Sequence, residues 1–217
     1  MQWGVPGRSI LVASALAATP AAAADLSFRG TFEFDDDIQF IDFNVGALST
    51  VTIRTLSYAG GINAAGEVIP RGGFDPGLAL AHPSGDIISA GDDSLGVPED
   101  PFTHQKFDVL MELELGAGAY RLAVTQYDNS ALGPTFDDIF TRAGQGNFTP
   151  TMTFCEADRF CDVSGVLPWN ARTGNWAVDV MNVQSATLVQ SPAPEPESWA
   201  LLAAGLGLIG LRARTRR

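Results

Sequence analysis

The feature that most constrains the fold of this chain is an alternation of apolar and polar residues in its middle part. In the segment LSFRGTFEF, Leu26, Phe28, Phe32 and Phe34 stand at alternate positions, and the odd-numbered positions between them are all polar. Side chains of a β-strand point alternately to its two faces, so this pattern predicts a strand with one buried face. A chain made of such segments buries them by packing one sheet against another.

Segments of the same kind recur at roughly 8–12-residue intervals, and no long helical period interrupts them. They are IQFIDFNV, VTIRTLSY, GLALAHPSGDIIS, KFDVLMELELGAGAYRLAVTQYD and NWAVDVMNVQSATLVQ. Pro83, Ser84 and Gly85 are a hairpin signal between two short runs, Gly116-Ala117-Gly118 separates two strands, and NWAVDVMNVQSATLVQ supplies the last strand. The step from Phe40 to Phe43 breaks the alternation, which leaves open a β-bulge or a different register. We predict about eight strands in an all-β, antiparallel β-sandwich of jelly-roll-like form.

The stretch of about 133–169 is less regular than the rest of the body. Thr135 stands three residues before Asp138, which is the spacing of a helix cap, and Phe136, Ile139 and Phe140 could form one apolar face. We interpret this stretch as an insertion that contains a short helix and a disulfide loop. Cys155 and Cys161 are the only cysteines.

In an exported chain, an even pair of cysteines is typical of a disulfide, which here would contribute about 2 kcal/mol by closing a small loop. The alternative is half of a metal site. That reading lacks the usual C-x₂₋₄-C spacing and a nearby histidine.

The N-terminus has the pattern of a secretory signal peptide over residues 1–24. Arg8 precedes the apolar stretch SILVASALAATPAAAA, and Ala22 and Ala24 form a small-residue A-x-A cleavage site before Asp25. A buried N-terminal helix is the alternative, but Pro20 would interrupt it and it has no polar face.

The C-terminus, 191–217, combines three features in order. Pro194, Glu195 and Pro196 precede an apolar run over 199–211, and Arg212, Arg214, Arg216 and Arg217 follow it. The apolar run is short for a full bilayer span, which takes roughly 20 residues. A basic cluster after an apolar helix stays on the cytoplasmic side and stops transfer of the chain.

This tail resembles the PEP-CTERM sorting signal. The resemblance implies a short transmembrane helix, transient anchoring in the inner membrane of a Gram-negative bacterium, and cleavage near residues 194–196 by an exosortase. Signal peptidase and the exosortase are then the expected processing partners. The expected destination is the periplasm, the cell envelope or an exopolysaccharide matrix.

A second resemblance concerns residues 25–190. The segments GGFDPGLALAHPSGDIISAGDDS, FDVLMELELGAGAYRLAVTQYDN and ARTGNWAVDVMNV resemble a PEP-CTERM-associated exported family of unknown function, and more broadly the bacterial pre-peptidase C-terminal β-sandwich. That resemblance implies a β-sandwich and no catalytic residues.

The charge of the body limits its partners. Residues 25–193 carry eight Lys and Arg against 23 Asp and Glu, a formal net charge of −15, whereas the whole chain has −12. A negative field repels phosphate backbones, so nucleic acid is not an expected partner.

No enzymatic constellation is evident in the sequence, and we expect no catalytic residues. The histidines, His82 and His104, are not accompanied by a G-x-S-x-G nucleophile elbow. A glycoside hydrolase or lyase remains a remote alternative, but Glu112 and Glu114 cannot be assigned an acid or nucleophile role.

Two ligand classes remain open. Asp92 and Asp93, with Asp108 or Asp128, would suit a weak structural Ca²⁺ site, although aspartates at strand ends more often stabilise turns. We expect no other cofactor. A polysaccharide could stack on exposed rings from the set Tyr58, Tyr120, Tyr127, Trp169 and Trp176, although such rings are more often core or rim residues of a sandwich. Trp176 alternates with Val178 and Val180, which predicts that it faces inward. The first expectation is a non-enzymatic structural or matrix protein, and the second is a polysaccharide-binding module.

Overall fold

A computed structural model describes residues 22–136, 140–153, 155–162 and 171–189 of the chain. These residues form an all-β, antiparallel structure, which confirms the predicted fold class. The strands are β1 (Ala24–Thr31), β2 (Ile38–Val45), β3 (Ser49–Thr55), β4 (Gly61–Ile62), β5 (Val68–Ile69), β6 (Pro76–Ala81), β7 (Ile87–Gly91), β8 (Leu110–Leu115), β9 (Gly118–Gln126), β10 (Asn175–Val183) and β11 (Ser185–Leu188).

Two sheets contain nine of these strands. One sheet has the order β1-β10-β3-β8, and the other has the order β11-β2-β9-β6-β7. The short strands β4 and β5 pair only with each other. The first strand of the body therefore pairs with the tenth, so the four-stranded sheet joins parts of the chain that are far apart in sequence.

The core contains the inward side chains of both sheets, as the alternation predicts. The five-stranded sheet contributes Ile41, Phe43, Leu80, Leu122 and Val124, and the four-stranded sheet contributes Val51, Ile53, Val178 and Val180. All of these residues are at most 1% exposed. Leu26 and Phe28 pack against this core and Phe32 belongs to it, whereas Phe34 lies beyond the end of β1 and is 42% exposed.

The break in alternation at Phe40 is not caused by a β-bulge. Strand β2 pairs with β9 without interruption from Ile38 to Val45. Phe40 points to the outer face of the sheet, where Phe136 and Phe140 cover it at ring-centroid distances of 5.6 and 6.4 Å. Apolar residues therefore occupy both faces of β2 because the stretch around 131–140 packs over the outer face.

The segment NWAVDVMNVQSATLVQ forms two strands instead of the single strand that we predicted. Strand β10 belongs to the four-stranded sheet and β11 to the five-stranded sheet, and Gln184 lies between them. Asn182 has φ 62°, in the left-handed region that asparagine tolerates better than most residues. The chain thus changes sheets within two residues of this position.

The irregular region is described only in part. Thr135 and Phe140 each form an isolated β-bridge, and a short 3-10 helix covers Thr149–Thr151. The centre of the predicted short helix, 137–139, lies outside the described residues. Residues 1–21 of the predicted signal peptide and the C-terminal segment 190–217 lie outside them too, so the proposed domain boundaries remain predictions.

Candidate functional site

The most distinctive polar region of the body lies at one end of the five-stranded sheet. Strand β6 starts there at Pro76, β7 ends at Gly91 and β9 ends at Gln126, because β6 is antiparallel to both neighbours. A cleft of about 370 Å³ opens beside this end, on the outer face. Its lining includes Asp92, Thr125, Tyr127, Asp128 and Ser130.

Asp75 lies at the start of β6 and is 4% exposed. Its backbone carbonyl accepts the N–H of Tyr127 at 2.7 Å, but its Oδ1 has no hydrogen-bond partner. Burial raises the pKa of Asp75 well above its ordinary value, and the nearby carboxylates, led by Asp93, raise it further.

Gln126 is the second buried polar side chain without partners at this end. It is 1% exposed, and neither its Oε1 nor its Nε2 makes a hydrogen bond. Its Cα is the ladder partner of Pro76, next to Asp75. Sequence reasoning missed both residues, although the position of Asp75 at a strand end beside the Asp92-Asp93 pair was a signal that could have identified it.

Two of the four predicted calcium ligands belong to this end of the sheet, and a third lies beside it. Asp92 and Asp128 line the cleft, and the Oδ1 of Asp92 accepts the N–H of Asp93 at 2.8 Å. Burial and the charge of Asp92 raise the pKa of Asp93 to about 6. Asp128 is paired with Arg142, whose Nε donates to Oδ2 at 2.7 Å.

Asp108, the fourth predicted ligand, uses its carboxylate in a different way. Its Oδ1 accepts hydrogen bonds from Thr55 Oγ1 at 2.8 Å and from the backbone N–H groups of Ser57 and Tyr58, and its Oδ2 accepts the N–H of Ala59. Asp108 is fully buried and fixes the turn after β3. Across the described ranges, no group of three or more His, Cys, Asp or Glu side chains could hold a metal ion.

A buried ionic network lies under the loops that precede β6 and β10. Arg71 donates two hydrogen bonds to Asp100, at 2.8 and 2.9 Å. Arg172 is 3.5 Å from Asp100 and 3.7 Å from Asp162, and its guanidinium lies 3.4 Å from the centroid of the Tyr58 ring. Burial alone would raise the pKa of Asp100, but the hydrogen bonds from Arg71 and from two backbone N–H groups, with the charge of Arg172, lower it overall.

The aromatic residues that could bind a polysaccharide are mostly internal. Tyr58, Tyr120 and Trp176 are 0%, 7% and 4% exposed, so their faces are not available for stacking. Tyr127 lines the cleft. Trp169 lies outside the described residues.

The residues that we considered for catalysis have separate surroundings. The His82 ring packs against Tyr120, and His104 Nδ1 lies 2.8 Å from Glu99 Oε1 on the surface. Glu112 and Glu114 are exposed on β8, opposite Thr52 and Thr50 of β3. These four residues thus have separate environments: a ring contact for His82, a carboxylate contact for His104, and an exposed strand surface for Glu112 and Glu114.

Cys155 and Cys161 form a disulfide with a Cα–Cα distance of 5.8 Å, as predicted from the pair of cysteines. Cys161 is buried, and its N–H donates to Thr149 Oγ1 at 2.9 Å. The disulfide therefore ties the irregular loop to the body near the 3-10 helix.

Residues 192–217 match the PEP-CTERM protein-sorting motif. The chain thus carries the sorting signal of exported proteins that an exosortase processes, and the match includes Pro194, Glu195, Pro196 and the terminal arginines. The resemblance of the body to a second family has no matching family model. No curated protein matches the chain. In the part of the chain that the structure describes, none of the helices has the length and apolar character needed to cross a membrane; the predicted span, 199–211, lies outside that part.

Proposed function

We propose that this protein is a non-enzymatic structural component of the cell envelope or extracellular matrix of a Gram-negative bacterium. In this proposal, signal peptidase removes residues 1–24 and an exosortase removes the C-terminal signal, which releases an acidic β-sandwich. The observation that carries it is the sorting motif, which begins at residue 192, only three residues after the last described residue, Val189.

The proximity of the motif to the fold supports a role for the body as cargo. Strand β11 ends at Leu188, and the Val189 N–H donates to Phe40 O at 2.9 Å. Only about four residues separate this anchored end from Pro194, a reach of about 13 Å even when fully extended. The tail therefore follows an edge strand of the five-stranded sheet, and the described core residues all precede it, so we expect its removal to leave the core intact.

The intact mass of the protein recovered from the medium and envelope of its own host tests this proposal. We expect a chain that starts near Asp25 and ends near Pro194. The matched control replaces Pro194, Glu195 and Pro196 by alanine, and this variant should retain its tail in the membrane fraction. A released wild-type protein that still contains Arg217 would contradict processing by an exosortase.

A polysaccharide-binding role is the second candidate, and the cleft beside Tyr127 favours it. That cleft combines one aromatic ring with the hydrogen-bonding side chains of Thr125, Ser130 and Asp92, a combination that suits a sugar. Electrophoresis through a gel containing the exopolysaccharide of the host should retard the protein, and Tyr127→Ala should restore its mobility. Phe102→Ala is the control, since Phe102 is 59% exposed and does not line the cleft. Unretarded wild-type protein would exclude this role.

A further inference from the structure

Arg29 stands apart from the other basic side chains of the body. The other seven each contact a carboxylate or a backbone carbonyl: Arg54, Arg71, Arg121, Arg142 and Arg172 lie against carboxylates, and Lys106 and Arg159 donate to carbonyls. Arg29 has only Glu67, whose Oε1 lies 3.8 Å from its guanidinium, and the two side chains are 62% and 49% exposed. It donates no hydrogen bond to a residue that the structure describes. An exposed ion pair contributes little, so the N–H donors of Arg29 remain for another partner.

Arg29 lies at a cleft of about 340 Å³ on the outer face of the four-stranded sheet. The Oγ of Ser27, two residues earlier on that face, accepts the N–H of Ala65 at 3.1 Å, which places the β4–β5 hairpin over this face. Side chains from separate parts of the chain meet at the cleft beside the hairpin. Its lining includes Arg29 and Thr31 from β1, Asn175 from β10, Ser57, Ile69 and Pro70.

The charge of this cleft is opposite to that of the body. Neither Asp nor Glu is among the described residues that line it, although the body has a net charge of −15. Asp92 and Asp128, by contrast, line the cleft on the five-stranded sheet. Glu67 is outside the lining, and its Oε2 accepts a hydrogen bond from Asn63 Nδ2 at 3.1 Å. Screening over about 8 Å at physiological ionic strength limits the effect of more distant acids, so Arg29 makes the cleft suitable for an anion.

Asn175 supplies a second donor in a fixed orientation. Its Oδ1 accepts the hydroxyl of Thr31 at 2.8 Å, across the last pair of the β1–β10 ladder. The amide Nδ2 has no partner among the described residues and can donate to a ligand in the cleft. Ile69 and Pro70 supply an apolar part of the lining. A few polar groups beside an apolar surface are typical of a site for a small ligand.

The wall that carries Ile69 is held in place by buried contacts. Asp179 on β10 is 0% exposed, and its Oδ2 accepts Arg54 Nε at 2.9 Å and the N–H of Ala64 at 3.0 Å. Ile69 itself packs in a small apolar cluster with Ala177 of β10. The cleft is therefore formed before a ligand arrives, which lowers the entropic cost of binding.

We propose that this cleft binds the carboxylate of a uronic acid, as part of an acidic oligosaccharide. An arginine guanidinium and a carboxylate form two parallel, charge-assisted hydrogen bonds, and the Asn175 amide adds a third donor. The sugar ring has an apolar face that fits Ile69 and Pro70, whereas a peptide carboxylate brings the charge without this ring. The inference does not depend on the functions proposed above, because the cleft beside Tyr127 lies on the other sheet and release of the tail does not involve Arg29.

The test is a titration followed by nuclear magnetic resonance, on the exported protein recovered from a ¹⁵N-labelled culture of its host. The probes are trigalacturonate and its methyl ester, which has the same sugar rings without the charges, in about 0.15 M salt. We expect trigalacturonate to cause saturable shifts of the Arg29 Nε–H and Asn175 Nδ2 resonances. The methyl ester should bind about 10–100-fold more weakly, because hydrogen bonds to a charged group contribute more than neutral ones.

Arg29→Gln should remove the preference for the acid over the ester, since it loses the charge and the paired N–H geometry. The side chain is exposed, so the variant should fold, and its midpoint of urea unfolding checks this. Lys106→Gln is the matched control, because it removes one positive charge at a side chain that donates to Leu95 O outside the cleft. Lys106→Gln and Tyr127→Ala should both keep the preference.

Equal affinity of the wild type for the acid and the ester would overturn the proposal, and so would a preference that persists in Arg29→Gln. An equal loss in Lys106→Gln would also overturn it, by assigning the preference to net charge instead of to the cleft. A triglutamate peptide that binds at Arg29 more tightly than trigalacturonate would overturn the assignment to a sugar and indicate a protein partner.

Discussion

Single aspartates organise the loops of this sandwich by accepting backbone N–H groups. Asp37 Oδ2 accepts the N–H groups of Glu33 and Phe34, and Asp36 Oδ2 accepts that of Gly146. Asp35 connects the end of β1 to the irregular region through Thr149 and Phe160. The run Asp35-Asp36-Asp37 therefore acts in turn formation, the more common role of aspartates at strand ends.

Asp108 has the largest share of such bonds, so its removal should be costly. We expect Asp108→Ala to lower the free energy of unfolding by about 3–5 kcal/mol, since four donors, three of them backbone N–H groups, would lose their acceptor in a buried site. Urea denaturation measures the effect. Glu114→Ala, an exposed acid on β8, should change the stability by less than about 0.5 kcal/mol. A similar small effect for Asp108→Ala would contradict the role of this network.

Tyr58 makes stability dependent on alkaline pH. Burial, together with the hydrogen bond to Asp162, raises the pKa of its hydroxyl from 10.0 to about 12. The unfolding free energy contributed by Tyr58 is full below pH 10 and falls as pH rises from 10 to 12, because the unfolded chain releases the proton first. The loss is about 2–3 kcal/mol.

Urea unfolding between pH 8 and 12, together with absorbance at 295 nm, measures this dependence. Tyr58→Phe should remove the part of the pH slope that belongs to this hydroxyl, at the cost of the bonds to Thr103 and Asp162. Tyr120→Phe should retain the slope. A pH slope between 10 and 12 that persists unchanged in Tyr58→Phe would show that the Tyr58 hydroxyl is not its source.

At the scale of elements, the connection from β5 to β6 passes unusually close to β10. A Cβ at Gly73 would lie 2.2 Å from the carbonyl oxygen of Asn175 and 2.5 Å from that of Ser57. Both contacts are with backbone, which cannot move aside as a side chain can. We expect Gly73→Ala to destabilise the fold by about 2–3 kcal/mol through overpacking.

The midpoint of urea unfolding measures this cost, and Gly116→Ala is a matched control. Nothing lies within 4 Å of a Cβ at Gly116, in the connection between β8 and β9. That variant should leave the midpoint unchanged or raise it slightly. Equal effects of the two substitutions would mean that the close approach at Gly73 relaxes freely.

The sequence predicted most elements because one face of each strand is apolar, and it failed where tertiary packing adds a second requirement. The hairpin around Pro83, Ser84 and Gly85 was predicted correctly, since its turn signals are local. The register of β2 could not be read from the sequence at Phe40, because this apolar residue lies on the outer face, where a distant stretch covers it. The change of sheet at Gln184 left no local breaker signal, and β10 and β11 were therefore read as one strand.

The same distinction holds for the polar end of the five-stranded sheet. Acids after β7 could be recognised from the sequence, because Asp92 and Asp93 end an alternating segment. Their neighbours could not, since Asp75 and Gln126 approach them only through the ladder of β6, β7 and β9. Asp108 was grouped with them by residue type, although its surroundings are N–H donors from a different turn.

At the scale of the whole molecule, the four-stranded sheet depends on the end of the chain. Strand β10 lies between β1 and β3, and it contributes Trp176, Val178, Val180 and Val183 to the core. A body that ends at residue 170 lacks this central strand and exposes the edges and inner faces of both neighbours. We expect such a chain to show no cooperative thermal unfolding and rapid proteolysis.

A chain that ends at Val189 is the control, because it retains β10 and β11. It should unfold in one cooperative transition, as monitored by circular dichroism and calorimetry. A cooperative transition in the shorter chain would mean that the five-stranded sheet folds without its partner.

The position of β1 sets an order of events in time. Ala24, the last residue of the predicted signal peptide, is already the first residue of β1 and the ladder partner of Val183, and the Asn182 N–H donates to Asp25 Oδ1 at 2.9 Å. A peptide bond held inside a paired strand is not accessible to a peptidase, so the predicted cut between Ala24 and Asp25 would have to precede the pairing of β1 with β10. Because β10 lies near the end of the body, β1 would stay unpaired until almost the whole body had been exported, and the predicted cleavage would have to be complete within that interval.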